Sequence, residues 1–392
     1  SVVFTIDQVD GKIFNIDSMP YGTKLDEKVI CTVKLASTVY TCQVMQEAIS
    51  DTLSYWNLED SLDFSKPVKF VNTLWDGQTT KIYIAQVNIH QVLPDSMVWG
   101  IYKEGIADGA VKEEKVVVFG EGNDESYYMY TQPVNASEGY QLYRSAVADG
   151  KNWTKLTVSG LPVGEIRLSQ MTAYEDAFYV VTTKGVLYSS ADGQTWSPVE
   201  NSPVIKALLG TIDVDDDFTA AGKQPSALSA VIDKDGTLVY GYMNEAKEWN
   251  EGTLLNEGFP LTGFGNLSYN SMFRARLLVV AGRDKDNKLT NTAPFDKQEG
   301  VAVAEYDDKI FMLSGINEAG KASSDIYLSR DGGVNWSLSD SLVVMPQEFK
   351  ARGFSSIYVD QDNYMYLFGG KETNSSNVLN QIWRGRINRL GF

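Results

Sequence analysis

The stretch Ile326–Trp336, IYLSRDGGVNW, decides how the chain reads. It places a serine, an aspartate, two glycines and a tryptophan at fixed offsets behind a short apolar run. Two related strings occur upstream, LYRSAVADGKNW (142–153) and LYSSADGQTW (187–196). A fourth, VYGYMNEAKEW (239–249), keeps the length and the tryptophan but loses the Ser-Asp-Gly core. A motif that recurs and decays in this way reads as a turn rather than as catalytic machinery. The chemistry of the turn is local. A carboxylate accepts hydrogen bonds from backbone N–H groups, glycine takes a positive φ at little steric cost, and tryptophan buries a large apolar surface. Asp149, Asp192, Ser329, Asp331, Gly333 and Trp336 are therefore assigned to structural turns.

Around these strings the chain is built from short β-type runs. Stretches of four to eight β-branched and aromatic residues alternate with Gly, Asn and Asp. Strands ending in glycine recur at VVVFGEG (116–122), LLVVAG (277–282), IFMLSG (310–315) and YMYLFGG (364–370). The repeat length of roughly 40–50 residues is that of a four-stranded propeller blade. Six units fit, near 112–160, 165–203, 204–257, 266–300, 301–345 and 350–392, with seven blades as the alternative. The last unit lacks an outer strand. Residues 96–102, SMVWGIY, are expected to supply it and close the ring, which removes an open edge.

Residues 1–95 read as a separate all-β unit, a small Ig/cadherin-like β-sandwich, followed by the propeller at 96–392. Folding VICTVKLASTVYTCQV near Ala36-Ser37 puts Cys31 opposite Cys42, as a cross-strand disulfide or as two buried thiols. Asp76-Gly77 predicts a two-residue hairpin between KFVNTLW and QTTKIYIAQV. In YTCQVMQEAISDTLSY (40–55) helical spacing and alternation compete.

Composition narrows the function. The 392 residues carry a formal charge of −17 and contain one histidine and two cysteines. Such a field repels polyphosphate and anionic lipid surfaces. Two cysteines rule out a Cys-rich metal site, and Ser-His-Asp, Cys-His or multi-histidine zinc chemistry would have to run through His90 alone. No apolar run reaches the length of a membrane span. The chain opens in strand-like sequence, SVVFTIDQ, without a signal peptide, so an export signal is expected to have been removed or left out.

Candidate sites follow from the propeller. Ligands are expected at the face formed by loops 131–140, 250–270, 283–290, 316–324 and 371–380. Arg274, Arg276 and Arg283 lie near these loops, and arginine forks grip carboxylates; salt bridging is the competing reading. Tyr140 and Tyr269, with Tyr128, Tyr130 and Trp249, are candidates for stacking on sugar rings, against a role in the core. Asp213, Asp215 and Asp217 in TIDVDDDF offer hard oxygen ligands for calcium, against a solvated acidic loop. No other cofactor is expected.

The strings above resemble the Asp-box repeats of bacterial neuraminidases, and YMYLFGG with NQIWRGRI resembles a kelch half-blade. In sialidases these boxes lie on the rim opposite the active site. That active site uses an arginine triad, an Arg-Ile-Pro motif and a Tyr-Glu pair, and no Arg-Ile-Pro string occurs here, so sialoside hydrolysis is not expected. The chain also resembles a domain-of-unknown-function family of exported lipoproteins from Gram-negative gut anaerobes. The residues carrying this are VFTIDQVDGKIFNIDSMPYGT (3–23), DSLDFSKPVKF (60–70), DGQTTKIYIAQVNIHQVLPDSMVW (76–99) and RLLVVAGRDKDNKLTN (276–291). The resemblance implies an outer-membrane or periplasmic lipoprotein, at the cell surface, with membrane attachment only through a lipid anchor outside this sequence. The expected function is non-catalytic binding of a carbohydrate or host glycoprotein. The alternatives are a propeller-type glycoside hydrolase or lyase and a structural protein–protein platform.

Overall fold

The computed structural model describes residues 3–26, 29–57, 60–213, 226–254, 272–273, 276–277, 298–313, 315–331, 333 and 335–389. Among these the chain is all-β, with three single-turn 3₁₀ helices and no helix long and apolar enough to cross a membrane. It divides into two compact units, Ser1–Ser96 with Asn388–Phe392, and Met97–Ile387.

The first unit carries one six-stranded sheet. Its order is Thr5–Asp7, Lys12–Phe14, Thr80–Gln86, Val68–Leu74, Val39–Gln46, Ser54–Tyr55. Alternation wins over helical spacing at Val39–Gln46, which is a strand whose inward residues Cys42 and Val44 join Val68, Phe70, Ala85 and Trp56 in the core. The hairpin expected at Ala36-Ser37 does not form. Residues 31–36 lie outside any strand, and Val39–Gln46 pairs with Val68–Leu74, placing Cys42 opposite Asn72. Both cysteines are free thiols. Two apolar alternating segments are interchangeable partners until burial selects one, and here the longer strand buries more. Asp76-Gly77 does turn the chain, but in a longer loop. Leu74 N–H donates to the Thr79 carbonyl, and the Asp76 carboxylate accepts from Gln78 N, Thr79 N and Thr79 Oγ1. The aspartate holds a four-residue loop where a two-residue turn was expected.

The second unit contains five four-stranded antiparallel sheets among the described residues. The first runs Val111–Phe119, Ser126–Pro133, Gln141–Ala146, Thr154–Leu156; the second, Thr172–Tyr174, Ala177–Val181, Leu187–Ser190, Ser197–Pro198. The third runs Ile205–Asp213, Ser226–Lys234, Thr237–Asn244, Trp249–Leu254. A two-stranded ladder, Met272–Phe273 with Arg276–Leu277, lies between the third and the next. Then come Ala302–Tyr306, Lys309–Leu313, Ile326–Ser329 and Ser337–Leu338. The last sheet joins Gly353–Val359, Met365–Lys371 and Gln381–Ile387 to Met97–Glu104, which pairs antiparallel along Gln381–Ile387.

Each core cluster of this unit is shared by consecutive sheets. Tyr130, Leu142, Phe178 and Trp196 bind the first sheet to the second, Tyr179, Leu187, Leu228 and Ile232 the second to the third, and Val116, Tyr127, Phe368 and Ile382 the last to the first. Burying faces radially in this way is how a propeller uses both sides of every sheet.

The aspartate turns lie between third and fourth strands. Asp331 Oδ1 accepts from Ser329 Oγ (2.9 Å) and Asn335 N (2.8 Å), while Ser329 Oγ accepts from Gly333 N (2.8 Å). Asp192 Oδ1 accepts from Ser190 Oγ, Gln194 N and Thr195 N. Asp149 accepts from Asn152 N. In all three the tryptophan indole N–H donates to the turn glycine carbonyl, Trp336 to Gly333, Trp196 to Gly193 and Trp153 to Gly150. The backbone hydrogen bonds to Asp192 hold its carboxyl below the usual range.

Candidate functional site

The inner strands begin, and the second strands end, on one face of the second unit. There a cleft of about 600 Å³ opens. Its lining comes from the start of Val111–Phe119 (Lys112, Glu113, Glu114), the segment before the second sheet (Gly164, Ile166, Arg167, Ser169), and Lys206 on the third inner strand. Glu299 and Phe354 precede or open later inner strands, and Lys371, Asn374 and Val378 follow the strand Met365–Lys371. A second cavity of about 230 Å³ is lined further along the inner strands by Val116–Val118, Thr172, Thr211 and Ser356.

Glu114 is the most perturbed acid in the cleft. Protein crowds round its carboxyl, which keeps only partial access to water. Burial pushes it up to about 8, against the opposing pull of the Arg352 guanidinium. Its space is made by Gly369, whose φ is 55° and where a Cβ would collide with the Glu114 carboxylate. This is a physical use for the glycine pair that ends YMYLFGG. Arg352 is 3% exposed and lies beneath. It donates from Nη1 to the Gly369 carbonyl (3.1 Å), from Nη2 to Gln381 Oε1 (2.8 Å) and from Nε to the Lys350 carbonyl (2.8 Å). Burial lowers it to about 10, so it stays charged at neutral pH.

Phe354 presents a half-buried ring to the cleft with φ 62°, a left-handed conformation that costs a bulky side chain about 1–3 kcal/mol. The Phe354 N–H to Gly300 carbonyl bond (2.6 Å) holds it there, and Gly300 has no Cβ to strike the ring. Lys371, 9% exposed, donates to the Asn374 carbonyl (3.3 Å) and stands 5.4 Å from the Phe354 ring centre. Burial lowers its pKa. Arg167 donates to the Lys206 and Thr183 carbonyls, which fixes its guanidinium at the rim.

The residues singled out from sequence distribute differently. Tyr140 is 7% exposed, and its hydroxyl accepts from Ile166 N (3.1 Å). It supports the cleft wall from below and offers no stacking face. Tyr128 and Tyr130 are buried between sheets, Tyr130 donating to the Gly193 carbonyl. Trp249 packs against the core shared by the second and third sheets. Tyr269, Arg274, Arg283, Asp215 and Asp217 lie outside the described residues, as do the side chains of Arg276 and Asp213. Among the described residues no cluster of three or more His, Cys, Asp or Glu side chains is placed to hold a metal ion. Sequence reasoning missed Glu114, Arg352 and Phe354, and reached Lys371 only as the first residue of loop 371–380. The available signal was the charged run Lys112–Lys115 placed directly before the apolar VVVF of an inner strand.

Radially packed four-stranded sheets closed by an early strand, with a polar cleft on the loop face, define a β-propeller protein. The chain belongs to the DUF6242 family: residues 93–392 match its beta propeller domain and residues 1–87 its N-terminal domain of unknown function. A search of curated proteins finds no match. Solved structures similar to it include a six-bladed fucose-binding lectin from Aleuria aurantia, at 10% identity and TM-score 0.39, covering 69% of this chain and 91% of that one. They also include a xyloglucan-locus GH43B protein of Bacteroides ovatus, at 14% identity and TM-score 0.34, covering 73% of this chain and 53% of that one. A third is a glutaminyl cyclase of Myxococcus xanthus, at 11% identity and TM-score 0.32, covering 76% of this chain and all of that one.

Proposed function

We propose that the chain is a non-catalytic binding protein of the cell surface or periplasm that recognises a carbohydrate or host glycoprotein through the propeller face. The observation carrying this is the cleft itself: about 600 Å³ on the loop face, with a half-buried Phe354 ring amid hydrogen-bonding side chains from several sheets. That size lies in the range of small-ligand sites, and an apolar ring beside donors and acceptors suits a sugar's mixed surface. In this reading the propeller has six blades, the fourth near 266–300, and the first unit is a β-sandwich. The protein is exported and held by a lipid anchor. Calcium at the acidic loop of Asp213, Asp215 and Asp217 is the alternative to its being cofactor-free.

One observation favours a second reading, a glycoside hydrolase. Glu113, Glu114 and Glu299 all line the cleft, and a carboxyl raised to about 8 is protonated at neutral pH, the state a general acid requires. The test is a glycan array with purified protein, followed by calorimetry on hits and a panel of fluorogenic glycosides and polysaccharides. Saturable binding without product supports the first reading. Turnover abolished in folded Glu114→Gln replaces it with the second, and neither binding nor turnover refutes both.

A further inference from the structure

Resting on the reading of the cleft as a glycan site, we propose that its ligand is an acidic sugar, whose carboxylate or sulfate is held by Lys112, Arg167, Lys206 and Lys371. The chain carries 51 acidic against 34 basic residues, so a cleft drawn at random from it would be anionic. This one has four cations facing three carboxylates, and one of those three, Glu114, is held largely protonated at neutral pH. Elsewhere lysines are neutralised at short range, as in Lys155–Asp108, Lys184–Glu165, Lys234–Glu251 and Lys247–Asp176. Lys112, Lys206 and Lys371 make no salt bridge among the described residues.

Lys371 is the decisive group. Its ammonium has three donors, and one bonds a carbonyl while the Phe354 ring stands beside it. Glu113 draws on the Lys371 charge without forming an ion pair with it, while Lys112 repels it, and an entering anion offsets the remaining cost of burial. Arg167 uses two of its five N–H donors on carbonyls, which orients the remaining ones without neutralising them. Glu113 and Glu299 add acceptors for hydroxyl groups, which a bare inorganic anion would not use. The field of the whole chain repels an extended polyphosphate, whereas a small anion inside the cleft meets the local cations first.

The test is calorimetry on the full chain with three probes: galactotetraose, tetragalacturonate, and a chondroitin tetrasaccharide with and without its sulfates. The expected result is binding of an acidic probe that weakens at least tenfold between 50 and 500 mM NaCl. Lys206→Ala and Lys112→Ala, both exposed, should each weaken it several-fold with the melting temperature unchanged, and Lys371→Met by roughly tenfold or more. Removing the sulfates separates the two anion sources. Neutral and acidic probes binding alike, indifferent to salt and to the lysine variants, would overturn the charge assignment while leaving the glycan reading in place. Failure of every probe, neutral and acidic, would overturn both.

Discussion

Replacing Glu114 with glutamine should flatten the dependence of stability on pH. The wild-type carboxyl is raised from 4.5 to about 8 by burial. The folded protein therefore holds this proton longer than the unfolded chain does. The group's stabilising contribution is complete below pH 4.5 and is lost as the pH climbs through about 8. One pKa unit is worth about 1.4 kcal/mol, so moving from pH 5 to 7.5 removes at most about 3 kcal/mol, and water reaching the carboxyl through the cleft reduces this to about 1–2 kcal/mol. Lys115, lowered to about 8 by burial, acts in the opposite sense but only above that pH, so the chosen window isolates the acid. Urea unfolding followed by tryptophan fluorescence at pH 5 and 7.5, for wild type and Glu114→Gln, gives the difference directly. Glutamine keeps the shape and cannot ionise, so the variant should gain stability relative to wild type at the higher pH. Identical pH slopes in the two proteins would show that Glu114 is not held protonated, and the argument from crowding would fail.

Asp331→Ala should lower stability by about 1–3 kcal/mol through loss of its bonds from Ser329 and Asn335; lost ligand binding at an unchanged melting temperature would contradict a purely structural role. Gly369→Ala should destabilise by more than about 1 kcal/mol, because φ is positive and the new methyl meets the Glu114 carboxylate; double substitution with Glu114→Ala should recover part of that loss, and strict additivity would argue against the contact. Removal of residues 1–104 should yield an aggregating propeller while removal of 1–90 should not, since only the first deletes Met97–Glu104; a soluble, cooperatively melting 105–392 fragment would count against closure.

The propeller was legible because its repeat is punctuated by local chemistry. Asp-Gly before a tryptophan and glycine at strand ends are demands of turn geometry, and they appear in the string of residues itself. Pairing in the first unit was not legible. Val39–Gln46 could alternate equally well against its upstream neighbour or against Val68–Leu74, and only the burial of Cys42 and Val44 decides. The cleft was half legible. Its face could be placed from the order of strands, and loop 371–380 does supply Lys371, Asn374 and Val378. Glu114, Arg352 and Phe354 could not, because they sit within or beside inner strands and follow no motif. Tyr140 shows the converse, an aromatic on the right loop whose hydroxyl is turned inward to brace Ile166.

The pairing of Met97–Glu104 with Gln381–Ile387 sets an order of events for folding. During synthesis the first of these strands emerges with no partner, and it waits until roughly 280 further residues have been made; joining the two ends of such a segment costs about 5 kcal/mol of chain entropy by the logarithmic law. The interlocked rings of the last and first sheets, Tyr127 with Phe368 and with Tyr358, form only after that step. The propeller therefore gains its seam last, and a chain stalled or truncated before Gln381 exposes both an open strand edge and an aromatic face. Contacts at so great a sequence separation predict slow, concentration-sensitive refolding, with the aromatic seam as the surface on which incomplete chains would find one another.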